Sequence, residues 1–102
     1  MKMLDDGIQV EAYMNFLYEV FGEEAEELRN IPFAELKCKV SELLEKLTER
    51  EKIFIGVRYG LDVDNPKTLP EMGKMYGVTS ERVRQIIAKA ERKLRVNKDA
   101  IL

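Results

Sequence analysis

The tightest constraint in this chain lies between Thr68 and Arg95, where a small residue, a turn glycine and several apolar positions stand at fixed offsets. Gly73 is followed by Gly77, then by Val78, Val83 and Ile86. Two helices that cross steeply over a short turn need a small side chain at their closest approach and apolar residues to fill the core they share. The turn itself needs a residue that tolerates positive φ. Gly73, Gly77 and the apolar trio meet these demands in order, so the segment predicts a helix-turn-helix. Thr68-Leu69-Pro70-Glu71 reads as a capping box that opens its first helix, with Pro70 in the first turn where a missing N–H does little harm. Leu69, Met72, Gly73 and Tyr76 form that helix's inner face. Thr79 caps the second helix, whose inner face is Val83, Ile86, Ile87, Ala90 and Leu94.

The rest of the chain also has helical periodicity. Tyr13, Phe16, Leu17 and Val20 recur at the spacing of one helix face after Asp6, and Glu23 to Glu27 extend it as a solvated acidic segment toward Arg29. Ile31-Pro32 breaks that pattern, because the residue before proline is pushed out of the helical region. Phe33, Leu36, Val40, Leu43 and Leu47 then define a second helix over 33–47. Its two heptads are too few for a coiled coil, so it is expected to pack on its own domain; a homodimer through residues 8–47 is the other use open to these helices. Thr48 and Glu51 form another capping box, and the third helix directs Ile53, Phe54 and Val57 inward before Gly60 ends it. The expected fold is all-α, a small helical domain of about five helices with a C-terminal helix-turn-helix. An acidic helical extension over 1–47 precedes a DNA-binding-type unit over 48–102.

Several classes of function are disfavoured. Cys38 is the sole cysteine and there is no histidine, so neither a disulfide nor a structural zinc site is expected. Asp62, Asp64 and Asn65 lack the ligand ladder, central glycine and distal glutamate of an EF-hand, so 61–67 reads as a polar loop. No metal or cofactor is expected. No nucleophile has a plausible neighbouring base and no glycine-rich phosphate loop is present, which argues against an enzyme. No apolar run approaches the ~18 residues that span a bilayer, and the acidic start at Met1 to Asp6 is not a signal peptide. A cytoplasmic protein with no membrane partner is therefore expected.

The net charge of -2 hides a polarised chain. Residues 1–47 carry five basic and eleven acidic side chains, residues 48–78 five of each, and residues 79–102 seven basic and three acidic. Such a chain holds a basic contact surface while its average stays acidic. On the last helix Glu81, Arg84, Gln85, Ala88 and Arg92 point away from the apolar stripe, with Arg82 and Lys89 on one flank. Arg can pair bidentately with guanine, Gln with adenine, and Glu can accept from the cytosine amino group. Thr68 and the amides beside it, with Arg50, Arg58 and Lys74, are candidates for phosphate.

The runs Leu47-Thr48-Glu49-Arg50-Glu51, Arg58-Tyr59-Gly60-Leu61, Thr68 to Lys74, Val78 to Ile86 and Lys93-Leu94-Arg95 resemble region 4 of bacterial sigma-70-type RNA polymerase sigma factors, over about half the chain. The resemblance implies a non-enzymatic helix-turn-helix transcription regulator or sigma-like factor that recognises −35-like promoter DNA and grips the β flap of core RNA polymerase at the bacterial nucleoid. It implies base reading by Glu81, Arg84 and Gln85, with Ser80 at a further base-reading position. Arg50, Arg58, Thr68, Leu69 and Lys89 fall at its phosphate positions; Lys74 and Arg82 join them by their charge and place on the helices. Four residues depart from the family pattern: Ser80 replaces a usual Arg, Gly56 a common basic residue, Pro70 a common Glu and Glu91 a common Leu. Fewer Arg–phosphate contacts lower both affinity and its salt dependence. The short acidic first half does not supply the sigma domain that melts the −10 element, so a stand-alone region-4-like protein is expected, ahead of a split sigma or an excised fragment. The alternative is an anti-sigma-like or accessory protein that uses the fold to contact polymerase or a sigma factor, with DNA secondary. A further expectation from charge alone is that the acidic 19–27 segment folds over the basic helix and masks it.

Overall fold

Three threonines open the three helices of the C-terminal half. The structure is a computed structural model that describes residues 6–61 and 65–102. Thr48 opens α3 (Glu49–Tyr59), Thr68 opens α4 (Leu69–Tyr76) and Thr79 opens α5 (Ser80–Val96). In each case the threonine hydroxyl accepts from the backbone N–H three residues on, at 3.0–3.2 Å, satisfying a donor the helix would otherwise leave orphaned. At Thr48 and Thr68 the returning glutamate completes the box at 2.9 Å. Gly60 and Gly77 then end α3 and α4 at φ of +69° and +70°. The expected polar loop at Asp62 and Asp64 and the acidic start at 1–5 lie outside the described residues.

The N-terminal half consists of α1 (Asp6–Phe21), a 3₁₀ segment (Gly22–Asn30) and α2 (Phe33–Leu44). Gly22, at φ +67°, ends α1 where the sequence alone extends it. The acidic stretch is therefore not a continuation of the α-helix. Side chains three apart eclipse in a 3₁₀ helix, and Ala25 and Leu28 use that register to bury one face while the glutamates stay outside. α2 begins directly after Pro32, as expected, and carries Cys38 on its exposed side. A short 3₁₀ turn (Lys98–Ala100) follows α5 and brings Ile101 into the core. Among the described residues there is no strand and no helix long and apolar enough to cross a membrane.

One cluster of buried side chains runs through both halves, from Tyr13 to Ile101. α1 lies against α5 and α3, with the Phe16 ring 5.3 Å from that of Tyr59. Tyr13, Phe16, Leu17 and Val20 are all buried within the chain. The apolar face that a homodimer through residues 8–47 would need is thus spent on the chain's own core. Arg95 Nε donates to the carbonyl of Val20 at 3.1 Å, and Lys98 pairs with Glu24 at 3.0 Å. The acidic segment touches the far end of α5 and its following turn, and leaves the first turns of α5 exposed instead of masking them.

Within α3 the inward assignment needs correction. Phe54 is buried and Val57 half-buried, as expected, but Ile53 is 49% exposed and Ile55 is fully buried in its place. The neighbours decide this: α1 and α5 cover the side that carries Ile55, while Tyr76 of α4 stacks on Phe54 at 4.6 Å and leaves Ile53 at the edge.

Candidate nucleic-acid interface

The angle at which α5 leaves α4 is set by a backbone contact. The Gly73 carbonyl accepts from the N–H groups of Gly77 and Val78, the latter at 3.0 Å. A Cβ on Gly73 would lie 2.7 Å from the Val78 carbonyl oxygen and 3.3 Å from the Ser80 nitrogen. Only glycine permits this approach. Met72, Val83, Ile86 and Ile87 fill the wedge below it, with Val78 half-buried as the plug of the turn. The inner face of α5 is buried at all five expected positions, so its opposite side is presented as a rigid row.

That row begins with Ser80 and Glu81 in the first turn and continues with Arg84 and Gln85, all exposed. Arg84 is paired along the helix: its Nε lies 2.9 Å from both Glu81 carboxylate oxygens and its Nη2 2.6 Å from one of them. The Arg84 guanidinium holds the Glu81 carboxyl below the usual carboxylate range, and Glu81 in turn raises Arg84. Both remain charged at neutral pH. The two groups stand as a preorganised acceptor and donor set at the start of the helix, the end that inserts between base edges in helix-turn-helix proteins.

Two clefts flank α5 and divide the other predicted residues between them. Arg50, Arg82, Gln85 and Lys89 line one cleft of about 210 Å³, together with Thr48, Glu51, Ile86 and Lys93. Arg58, Leu69 and Arg84 line the other, of about 250 Å³, with Tyr59, Ile87, Ala88 and Glu91. Thus α3 and α4 bring cations and a helix start to either side of one helix. Thr68 and Lys74, both exposed, line neither cleft.

Hydrogen bonding refines the remaining positions. The Thr68 amide donates to Glu71 and the Glu71 amide donates to Thr68 Oγ1, while Pro70 has no N–H. At the α4 start the capping box thus occupies the Thr68 and Glu71 amides, and Thr68 retains its hydroxyl hydrogen. Arg58 uses Nη1 on the Lys67 carbonyl at 2.9 Å, which fixes the guanidinium at the cleft mouth with its other donors free. Arg50 lies over the Phe54 ring, 5.5 Å from its centroid, with its side chain exposed.

Sequence reasoning missed Lys93 and the second task of Glu51. Glu51 caps α3 and also accepts from Lys93 Nζ at 2.8 Å. Burial pushes its carboxyl up, but the Lys93 and Thr48 hydrogen bonds outweigh that and hold it below its ordinary value. Lys93 stands four residues after Lys89 on the same stripe, and that spacing was the available signal. Tyr59 and Glu91, in the opposite cleft, share a hydrogen bond of 2.5 Å from the tyrosine hydroxyl to Glu91 Oε2.

A capped three-helix unit with a glycine-pinned turn and an exposed, charged second helix defines the helix-turn-helix class. The family described as "Sigma-70, region 4" matches residues 43–96, just over half of the 102 residues. The chain belongs to that family. An RNA polymerase sigma factor SigA from a Bacillus species is 53% identical over 60 residues, which is 59% of this chain and 16% of that protein. The SigA of Listeria monocytogenes serovar 1/2a (strain ATCC BAA-679 / EGD-e) is 50% identical over 60 residues, with the same coverage. The match thus spans about one sixth of the length of these relatives. No solved structure matches the chain.

Proposed function

We propose that this chain is a non-enzymatic transcription protein that recognises promoter-type double-stranded DNA, at a −35-like element, through the first turns of α5 in the major groove. The observation that carries this reading is the row Ser80, Glu81, Arg84 and Gln85, exposed on a helix whose angle is pinned at Gly73 and whose two sides carry cations. A B-DNA major groove of about 12 Å admits one helix, and base edges there offer the donor and acceptor patterns that Glu, Arg and Gln read. Arg50, Arg82 and Lys89 on one side, and Arg58 and the Leu69 amide on the other, suit the phosphates of the two strands. Thr68 serves as a weaker contact through its hydroxyl, and Lys74 as a peripheral one. The sigma-factor relatives support core RNA polymerase, gripped through its β flap, as the protein partner, and the bacterial nucleoid as the place of action.

The test is fluorescence anisotropy with a labelled promoter duplex across a salt series. Arg84→Ala and Gln85→Ala should each weaken binding by about five-fold or more, since a bidentate base contact carries ~1–3 kcal/mol of discrimination. Unchanged affinity in either variant would overturn the reading.

A second reading has its own observation. Ile53, Phe54 and Tyr76 line an apolar pocket of about 420 Å³ beside Arg50, and Met75 nearby is 53% exposed. This patch supports an accessory or anti-sigma-like role in which protein contacts dominate and DNA is secondary. Binding to the isolated β flap that survives Arg84→Ala and is lost on Ile53→Lys would favour it.

A further inference from the structure

The cleft that gathers Arg58, Leu69 and Arg84 also holds a carboxylate. Glu91 stands on the same side of α5 as Arg84, two turns further on, and its side chain is only 14% exposed. It is fixed there. The Tyr59 hydroxyl donates to its Oε2 at 2.5 Å, and the Tyr59 ring is itself packed against Phe16. Burial first, and then Glu91 itself, push the Tyr59 hydroxyl well above its ordinary pKa, which keeps it a donor.

Neutralisation of this carboxylate is incomplete. Its nearest cation, Arg95, holds Nη2 4.0 Å from Glu91 Oε1, the far limit of an ion pair, while its Nε donates to the Val20 carbonyl and its side chain is half exposed to screening solvent. Arg58 is turned to the Lys67 carbonyl and Arg84 to Glu81. No cation in the cleft closes on Glu91, so its charge subtracts from the field that Arg58 and Arg84 present to a phosphate backbone.

We propose that Glu91 is an electrostatic counterweight built into the DNA interface, a Tyr59-clamped carboxylate that holds phosphate affinity below what Arg58 and the Leu69 amide would otherwise give. This rests on the DNA reading above. A unit charge about 8 Å from a phosphate, in a medium between protein and water, changes affinity by about three-fold at low salt, and less once the Debye length shrinks to that distance. A residue of this kind tunes strength without touching base choice.

The experiment compares wild type, Glu91→Gln, Arg84→Ala and a charge-matched control, Glu35→Gln, by anisotropy on one labelled promoter duplex at low and at physiological salt. Glu35 is exposed on α2, which packs on the turn after α5, it lines neither cleft, and its replacement changes net charge by the same amount. Glu91→Gln should bind about three-fold more tightly than wild type at low salt, with a smaller gap at physiological salt, and Glu35→Gln should match wild type. The glutamine oxygen can still accept from Tyr59; if melting shows that the fold has weakened, Glu91→Met repeats the test with the charge removed and the length kept. A Glu91→Gln affinity equal to that of Glu35→Gln, while Arg84→Ala loses binding, overturns the counterweight and leaves the DNA reading intact. Binding that is absent in all variants, or unchanged in Arg84→Ala, overturns the DNA reading and the counterweight with it.

Discussion

Replacing Gly73 by alanine sets two effects of opposite sign against each other. As an interior helix position, the substitution should stabilise α4 by about 1 kcal/mol through helix propensity. The new methyl, however, would sit 2.7 Å from the Val78 carbonyl oxygen, which is backbone in the turn and cannot rotate aside. Overpacking a well-packed contact costs about 1–3 kcal/mol, and the upper part of that range applies where the obstacle is main chain. The clash wins, with a net loss of about 1–2 kcal/mol. For a domain of this size each kcal/mol moves the melting temperature by roughly 4–8 °C, so a fall of about 5–15 °C is expected in thermal denaturation followed by circular dichroism. Gly77→Ala is the matched comparison: no atom lies within 4 Å of its added Cβ, and its cost comes only from φ of +70°, about 1 kcal/mol. A Gly73→Ala protein as stable as wild type, or more so, would show that the turn yields freely and that the steric account of the α4–α5 angle is wrong.

Phe16→Ala should cost about 3–5 kcal/mol, because the ring is fully buried between α1 and α3; a urea midpoint close to wild type would show that α1 is not part of the core. Glu51 has a folded-state pKa below its unfolded one, so its contribution is present above the ordinary carboxylate range and is lost as pH falls through the depressed value. Urea midpoints measured from neutral to acid pH should therefore drop more steeply in wild type than in Glu51→Gln, and parallel profiles would contradict the assignment. Glu24→Ala, which removes the exposed pair with Lys98, should change stability by no more than about 0.5 kcal/mol, and a loss above about 1 kcal/mol in chemical denaturation would mean that the pair organises the chain's ends.

The helix-turn-helix was readable in the sequence because its determinants are local. Thr68, Thr79, Gly73 and Gly77 each answer a demand made within a few residues, and the apolar positions that follow have one face to choose. α3 was less readable for the converse reason. Ile53, Phe54, Ile55 and Val57 crowd one short helix, so periodicity cannot say which of them is left outside until α1, α4 and α5 have taken their places. The same limit explains Glu51, whose capping role is visible three residues away while its partner Lys93 is 42 residues distant. Composition was misleading in the acidic stretch: the glutamates suggested a wholly solvated segment, and the buried pair Ala25 and Leu28 is too sparse to stand out. At the candidate interface, residue types indicated the exposed row on α5, but the division of cations between two clefts and the carboxylate in one of them depend on how α3 and α4 meet α5.

The bonds that join the two ends of the chain also bear on how it is made. Val20 and Arg95 are 75 residues apart, and Glu24 and Lys98 are 74 apart. Domains emerge from the ribosome N-terminus first, at about 5–20 residues per second, so α1 waits several seconds for its partners. During that interval the 3₁₀ segment, Phe33 and Tyr59 can cover part of α1, but the side that meets α5 stays open until Arg95 and Ile101 have emerged. The glutamates of this half give it a net negative charge over that interval, which opposes self-association of the still-open helix.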